Sequence, residues 1–119
     1  MTNSRCIVIA VILIVLLAST SGKAGITLEK YHQVKATSDF NAYLTGVVVA
    51  YSTVNTYLRQ IAERSPLYCT PNELSLNLQN YLQIIDDYVA KPDLKDINTP
   101  NAPFEFVLLL ALQEMFPCE

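Results

Sequence analysis

Tyr68-Cys69-Thr70-Pro71-Asn72-Glu73 at one end and Phe116-Pro117-Cys118-Glu119 at the other bracket the stretch whose reading decides the fold. Between the two cysteines, Leu74, Leu78, Tyr81, Leu82, Ile85, Tyr88 and Val89 recur at intervals of three and four, the spacing of one buried helical face. Thr70, followed three residues later by Glu73, reads as a capping box, and Pro71 at the first helical position gives up an N–H that would be unpaired there anyway. The pattern predicts a helix from Thr70 to Val89. A second helix is expected from Thr99 or Asn101, either of which can cap, through Phe104, Val107, Leu108, Ala111, Leu112 and Met115 until Pro117 ends it. With a rise of about 1.5 Å per residue the two would be about 27 Å and 23 Å long, and folded back on each other they return Cys118 to Cys69. The expected fold is all-α, a small helical bundle of three to five helices in which one disulfide, Cys69 to Cys118, pins the last two as an antiparallel hairpin.

The start of the chain reads differently. After Arg5, Cys6 to Ala18 is unbroken apolar sequence followed by Ser19, Thr20, Ser21 and Gly22, the three-part layout of a secretory signal. The run is about 13 residues, below the roughly 20 that a membrane-spanning helix needs, so residues 1–24 are expected to be cleaved, between 18 and 24, and to take Cys6 with them. Residues 25–119 then form one exported domain, without stable membrane anchoring. Two remaining cysteines in an exported chain imply a disulfide staple, which a domain of this size needs. The whole chain carries a net charge of −3, and both Arg5 and Lys23 lie in the leader, so the domain is more acidic than its precursor. That balance argues against nucleic acid and anionic membrane, and for a basic protein partner or none.

Upstream of the bracketed stretch, Gly25 to Thr37 is expected as a short helix or an arm. Ser38 and Asp39 are good caps for a helix beginning there. Phe40, Tyr43, Leu44, Val47, Val48, Tyr51, Val54, Leu58, Ile61 and Ala62 then keep helical spacing, which predicts one long helix from Asp39 to Arg64, stopped by Ser65-Pro66. Gly46 on this helix would let another helix approach closely. Between the last two helices, Ala90 to Pro103 carries three prolines and alternating charges, a stiff polar connection at the closed end of the hairpin.

A catalytic constellation does not emerge. His32 is the only histidine, so a zinc site or a Ser-His pair would lack partners, and neither metal nor cofactor is expected. Cys69 at a helix start has the setting of an activated thiolate, but pairing with Cys118 is the stronger reading. Asp86 and Asp87 are adjacent on a helix and point about 100° apart, so they cannot act as a facing carboxylate pair. Tyr43, Tyr51, Tyr81 and Tyr88 fall on apolar faces and are expected in the core with hydroxyls reaching water, whereas Tyr57 and Tyr68 lie near helix ends, where either would suit an interface anchor. The chain is not expected to be an enzyme.

Leu67-Tyr68-Cys69-Thr70-Pro71-Asn72-Glu73-Leu74, Tyr81-Leu82-Gln83-Ile84-Ile85-Asp86-Asp87-Tyr88-Val89 and Leu109-Leu110-Ala111-Leu112-Gln113-Glu114-Met115-Phe116-Pro117-Cys118 resemble the Rap/Tai family of small exported immunity proteins. Tyr43-Leu44-Thr45-Gly46-Val47-Val48 is similar to that group's tyrosine-x-x-glycine-valine helix, so the resemblance spans roughly the last 80 residues. It implies a helical periplasmic protein, dimeric in many members, that blocks a peptidoglycan amidase delivered by type VI secretion. Cys69 and Cys118 match the family's disulfide. A further cysteine that many relatives carry near the tyrosine-glycine helix is absent from Phe40-Asn41-Ala42-Tyr43, so the cognate effector does not follow from the resemblance.

An inhibitor needs a preorganised protrusion, because ordering a loop on binding costs affinity. Asp93, Lys95, Asp96, Asn98 and Asn101 on the proline-rich connection are the candidate partner contacts, with Asp86 and Asp87 steering a basic effector. An ordinary solvated connection is the plainer reading of the same residues. Two other functions suit a short, exported, disulfide-stapled helical chain: an acid-stress chaperone that protects unfolded clients as carboxylates titrate, and an envelope interaction module.

Overall fold

The computed structural model describes residues 25–94 and 99–119. The expected leader and the loop residues Lys95, Asp96, Ile97 and Asn98 lie outside the described residues. Among the described residues there are four helices and no strand: α1 Leu28–Val34, α2 Ser38–Gln60, α3 Leu78–Val89 and α4 Phe104–Met115. α3 packs most closely on α4, and α2 lies against α3. Cys69 and Cys118 are joined, with Sγ–Sγ 2.09 Å and Cα–Cα 5.0 Å, across a sequence separation of 49 residues. The all-helical fold is the one that the apolar spacing predicts, and its staple joins the two cysteines expected to pair.

The helix boundaries are less regular than the spacing suggests. α3 does not begin at Thr70 but at Leu78, with Asn77 as its N-cap. Asn77 Oδ1 accepts from Asn80 N at 3.0 Å while Asn80 Oδ1 accepts from Asn77 N at 2.9 Å, a reciprocal box that satisfies two donors at once. Upstream, the backbone N–H of Cys69 donates to the carbonyl of Phe116 at 2.8 Å and Leu74 N to that of Pro71 at 3.0 Å. The disulfide and these bonds hold 69–74 in turns against the chain end, so Thr70, Pro71 and Glu73 do not start a helix. With 12 residues each, α3 and α4 are about 18 Å long rather than 27 and 23 Å.

α2 is capped by Thr37, whose Oγ1 accepts from Phe40 N at 3.2 Å, rather than by Ser38 or Asp39, which lie inside the helix. It ends at Gln60 rather than Arg64. Glu63 takes φ 50° there, and Arg64 N reaches back to the carbonyl of Leu58 at 2.8 Å, a left-handed turn that closes the helix before proline acts. A non-glycine residue in that region is strained by about 1–2 kcal/mol.

Gly25 to Thr37 contains a helix, capped by Thr27 Oγ1 accepting from Lys30 N at 3.2 Å. The residues around it also close the start of α4. Phe104 N donates to the carbonyl of Ile26 at 2.8 Å, Leu28 N to that of Ala102 at 2.9 Å, Glu29 N to that of Pro100 at 3.1 Å, and Ile26 N to Glu105 Oε1 at 3.2 Å. Neither Thr99 nor Asn101 caps α4. Its N-cap is Pro103, which offers no side-chain acceptor, so the chain before α1 takes up the hydrogen bonding of that helix end.

The core gathers where α1, the first two turns of α2, and α3 and α4 meet. Tyr31, Leu28, Leu44, Ile85, Phe104, Val107, Leu108 and Leu112 are its largest fully buried side chains. Burying each apolar side chain contributes roughly 1.5–3 kcal/mol. Tyr31, Phe40 and Phe104 form an aromatic triangle with ring centroids 4.9 to 5.5 Å apart. α4 is apolar on nearly all sides from Phe104 to Leu112; it gives Phe104, Val107, Leu108, Ala111 and Leu112 to the core and leaves Phe106 exposed on its other side.

Candidate protein-interaction site

Only Phe40 and Leu44 of the 23 residues in α2 are buried, both near its start. Half-buried Val47, Val48 and Tyr51 pack against the core, and Asn55 then ties the helix to the segment before Cys69: its Oδ1 accepts from Leu67 N at 2.7 Å and its Nδ2 donates to the carbonyl of Tyr68 at 3.1 Å. The opposite face is left to solvent. Ala42, Thr45, Gly46, Val49, Ala50, Thr53, Val54, Tyr57 and Ile61 recur along it at helical spacing, all exposed, with Val49 58%, Tyr57 54% and Ile61 70% accessible. From Phe40 to Leu58 there is no charged residue at all. A Cβ placed on Gly46 would meet nothing within 4 Å, so this part of the helix is open to close approach. Beside Tyr57 and Ile61, a depression of about 370 Å³ is lined by Ser52, Thr53, Thr56 and Gln60. Four of the seven large apolar side chains that the described residues expose lie on this one helix and its cap. Concentration of that kind is what marks a protein-binding surface, since scattered exposed apolar residues are ordinary.

The residues singled out on the sequence are distributed differently. Asp86 is held within the fold: Tyr31 donates its hydroxyl to Oδ1 at 2.8 Å, and Lys35 Nζ lies 2.7 Å from Oδ2, so this carboxylate ties α1 to α3. Asp87 is exposed and receives Gln83 Nε2 at 3.3 Å on its own helix. Asp93 and Asn101 are exposed on either side of the closed end, while Lys95, Asp96 and Asn98 fall outside the described residues. His32 is exposed, its ring 5.2 Å from that of Tyr31. Among the described residues, no group of three or more His, Cys, Asp or Glu is placed to hold a metal ion, and no helix is long and apolar enough to cross a membrane.

The tyrosines need partial correction. Tyr68 is buried at 4% exposure, not an interface anchor, whereas Tyr57 is free on the α2 face. Tyr51 does not end in water; its hydroxyl donates to the carbonyl of Glu105 and ties α2 to α4. Burial pushes the Tyr68 hydroxyl up to about 12, with the neighbouring Tyr81 and Tyr51 adding to it. Tyr31 is raised further, by burial first and then by its bond to Asp86 and that carboxylate's charge. Burial also raises Tyr51 and Tyr81. A proton held more tightly in the folded state stabilises fully below the unfolded value of about 10 and is lost as pH rises through the folded one. The urea midpoint is therefore expected to fall steadily between about pH 10 and 12. In a phenolate titration at 295 nm, Tyr68→Phe and Tyr31→Phe should each remove amplitude from the alkaline end of the curve; amplitude lost near the ordinary value of about 10 instead would contradict the burial of these hydroxyls.

Comparison with protein-family models, with curated proteins and with solved structures found no match for this chain.

Proposed function

We propose that residues 25–119 are an exported immunity protein that binds and blocks a type VI secretion effector, most simply a peptidoglycan amidase, in the periplasm of the cell that makes it. The observation that carries this reading is the uncharged apolar face of α2, displayed on a scaffold closed by a disulfide. Such a molecule presents a preformed surface to another protein at low entropic cost. The export signal read at residues 1–24 and the resemblance of the last 80 or so residues to the Rap/Tai family supply the compartment and the class of partner.

Within this reading the two surfaces divide the work. The α2 face pairs with the same face of a second copy, because two copies of an acidic chain approach most readily through a region without charge. Asp93, Asn101 and the loop between them meet the effector, and Asp87 adds to the negative field that draws in a basic partner. Asp86, engaged by Tyr31 and Lys35, positions α1 against α3.

The test begins with affinity capture on the oxidised domain and continues with the captured hydrolase in a dye-release assay on purified peptidoglycan. Stoichiometric inhibition supports the reading. Undiminished hydrolysis, or protection of unrelated unfolded proteins at about pH 2 to 3 instead, overturns it in favour of a chaperone. The double variant Tyr57→Lys/Ile61→Lys is expected to convert a dimer into a monomer on light scattering while leaving the helical circular dichroism unchanged, since both side chains are exposed and a cation suits the last turn of α2. An unchanged mass would remove α2 from the dimer contact.

A further inference from the structure

The two sulfurs of the disulfide stand in opposite surroundings. Arg59, in the last turn of α2, places Nη2 3.7 Å from Cys69 Sγ. Cys118 Sγ has instead the carbonyl oxygen of Pro66 at 3.8 Å. A guanidinium is charged at every relevant pH and stabilises a neighbouring thiolate. A carbonyl oxygen repels an anion and accepts a hydrogen bond from a neutral S–H. Both cysteines are half-buried, and Pro117 and Glu119 on either side of Cys118 are exposed.

We propose that Cys118 is the site at which a small thiol adds to this protein, with Cys69 as the leaving sulfur. The thiolate attacks Cys118 Sγ, a new S–S bond forms between them, the Cys118–Cys69 bond breaks, and its electron pair departs on Cys69 Sγ beside Arg59. One disulfide is exchanged for another, with no net oxidation. Attack by a second thiolate on the mixed disulfide would then release the small-molecule disulfide and leave both cysteines reduced. A more acidic leaving thiol departs faster, and by this logic the same attack at Cys69, which would expel a Cys118 thiolate towards the Pro66 carbonyl, is the slower path. The inference rests on the disulfide and its neighbours alone and holds whether or not the chain is an immunity protein.

The experiment treats the oxidised protein with limiting glutathione, quenches in acid, blocks free thiols with a maleimide and maps the tryptic peptides. Arg64 and Lys95 lie on either side of the Cys69 peptide, so the two cysteines separate cleanly, and Cys6, where present, falls in a third. Glutathione is expected on Cys118 and maleimide on Cys69, with a preference of about threefold for each pKa unit by which Arg59 acidifies Cys69. Arg59→Gln should bring the two sites to parity, while Arg59→Lys, which keeps the charge, should retain part of the preference. In the Cys118→Ala variant, absorbance at 240 nm should place the Cys69 thiol below the ordinary value of about 8.5, and Arg59→Gln should return it there. Glutathione found equally on both cysteines, mainly on Cys69, or on Cys118 with the same preference in Arg59→Gln, would overturn the proposal.

Discussion

The Cys69→Ser/Cys118→Ser protein is expected to be less stable than the parent by about 4 kcal/mol, the loop-closure entropy that a cross-link over about 50 residues removes from the unfolded chain. A domain of this size has roughly 5–14 kcal/mol in total, so the loss is a large share of it. The cross-link closes a loop containing all of α3 and α4, the two most closely packed helices. Urea unfolding at neutral pH, with and without reductant, checks the expectation: the parent with reductant and the double variant without it should share one midpoint. A double variant as stable as the oxidised parent would mean that the hydrogen bonds from Cys69 N to Phe116 O and from Gln113 Nε2 to Leu67 O, at 2.8 and 3.1 Å, hold the ends together without the covalent bond.

Phe104→Ala is expected to cost about 3–5 kcal/mol, as large aromatic truncations in a core do. Phe104 is fully buried, stacks against Tyr31 at 4.9 Å and meets Phe40 edge-on at 5.3 Å. Its backbone N–H is also the one that Ile26 accepts from, so the ring sits where α1, α2 and α4 converge. Phe106, two residues on, is 53% exposed, and its replacement by alanine should change stability by less than about 0.5 kcal/mol. The pair of variants, compared by thermal and urea unfolding, separates loss of the core from the change in helix propensity in α4, since both replace phenylalanine by the same better helix former. Similar losses at both positions would show that the aromatic triangle is not the centre of the core.

The apolar repeats alone identify α2, α3 and α4 and their order, because burial of one helical face leaves a three-and-four spacing, but they leave Gly25 to Thr37 as either a helix or an arm, which the structure resolves as α1. The two cysteines that bracket the last two helices likewise point to each other as a pair, Cys69 with Cys118. Where each helix begins was decided by tertiary contacts. Thr70-Pro71-Asn72-Glu73 has the local chemistry of a helix start, but the disulfide and the bond from Cys69 N to Phe116 O hold that segment in turns, and the next competent cap, Asn77, takes over. The start of α4 lacks a side-chain cap in its own sequence because the acceptor is the carbonyl of Ile26, 78 residues earlier in the chain.

For the candidate site the division is similar. The absence of charge from Phe40 to Leu58 was legible as a sequence fact, yet a helix apolar on most sides is as consistent with the centre of a bundle as with an open face. Only the packing of the other helices against one side of α2 leaves Val49, Val54, Tyr57 and Ile61 facing outward. Asp86 and Asp87 look alike in sequence. Lys35 and Tyr31 reach the first and not the second, because an adjacent residue on a helix points about 100° away. Local periodicity thus determined which of the longer segments are helical, and the cysteines at the two ends of the helical hairpin determined which of them pair. Capping across long sequence distances, the exposed side of α2 and the opposite surroundings of the two sulfurs were decided by tertiary structure, because each depends on groups that sequence spacing does not bring together.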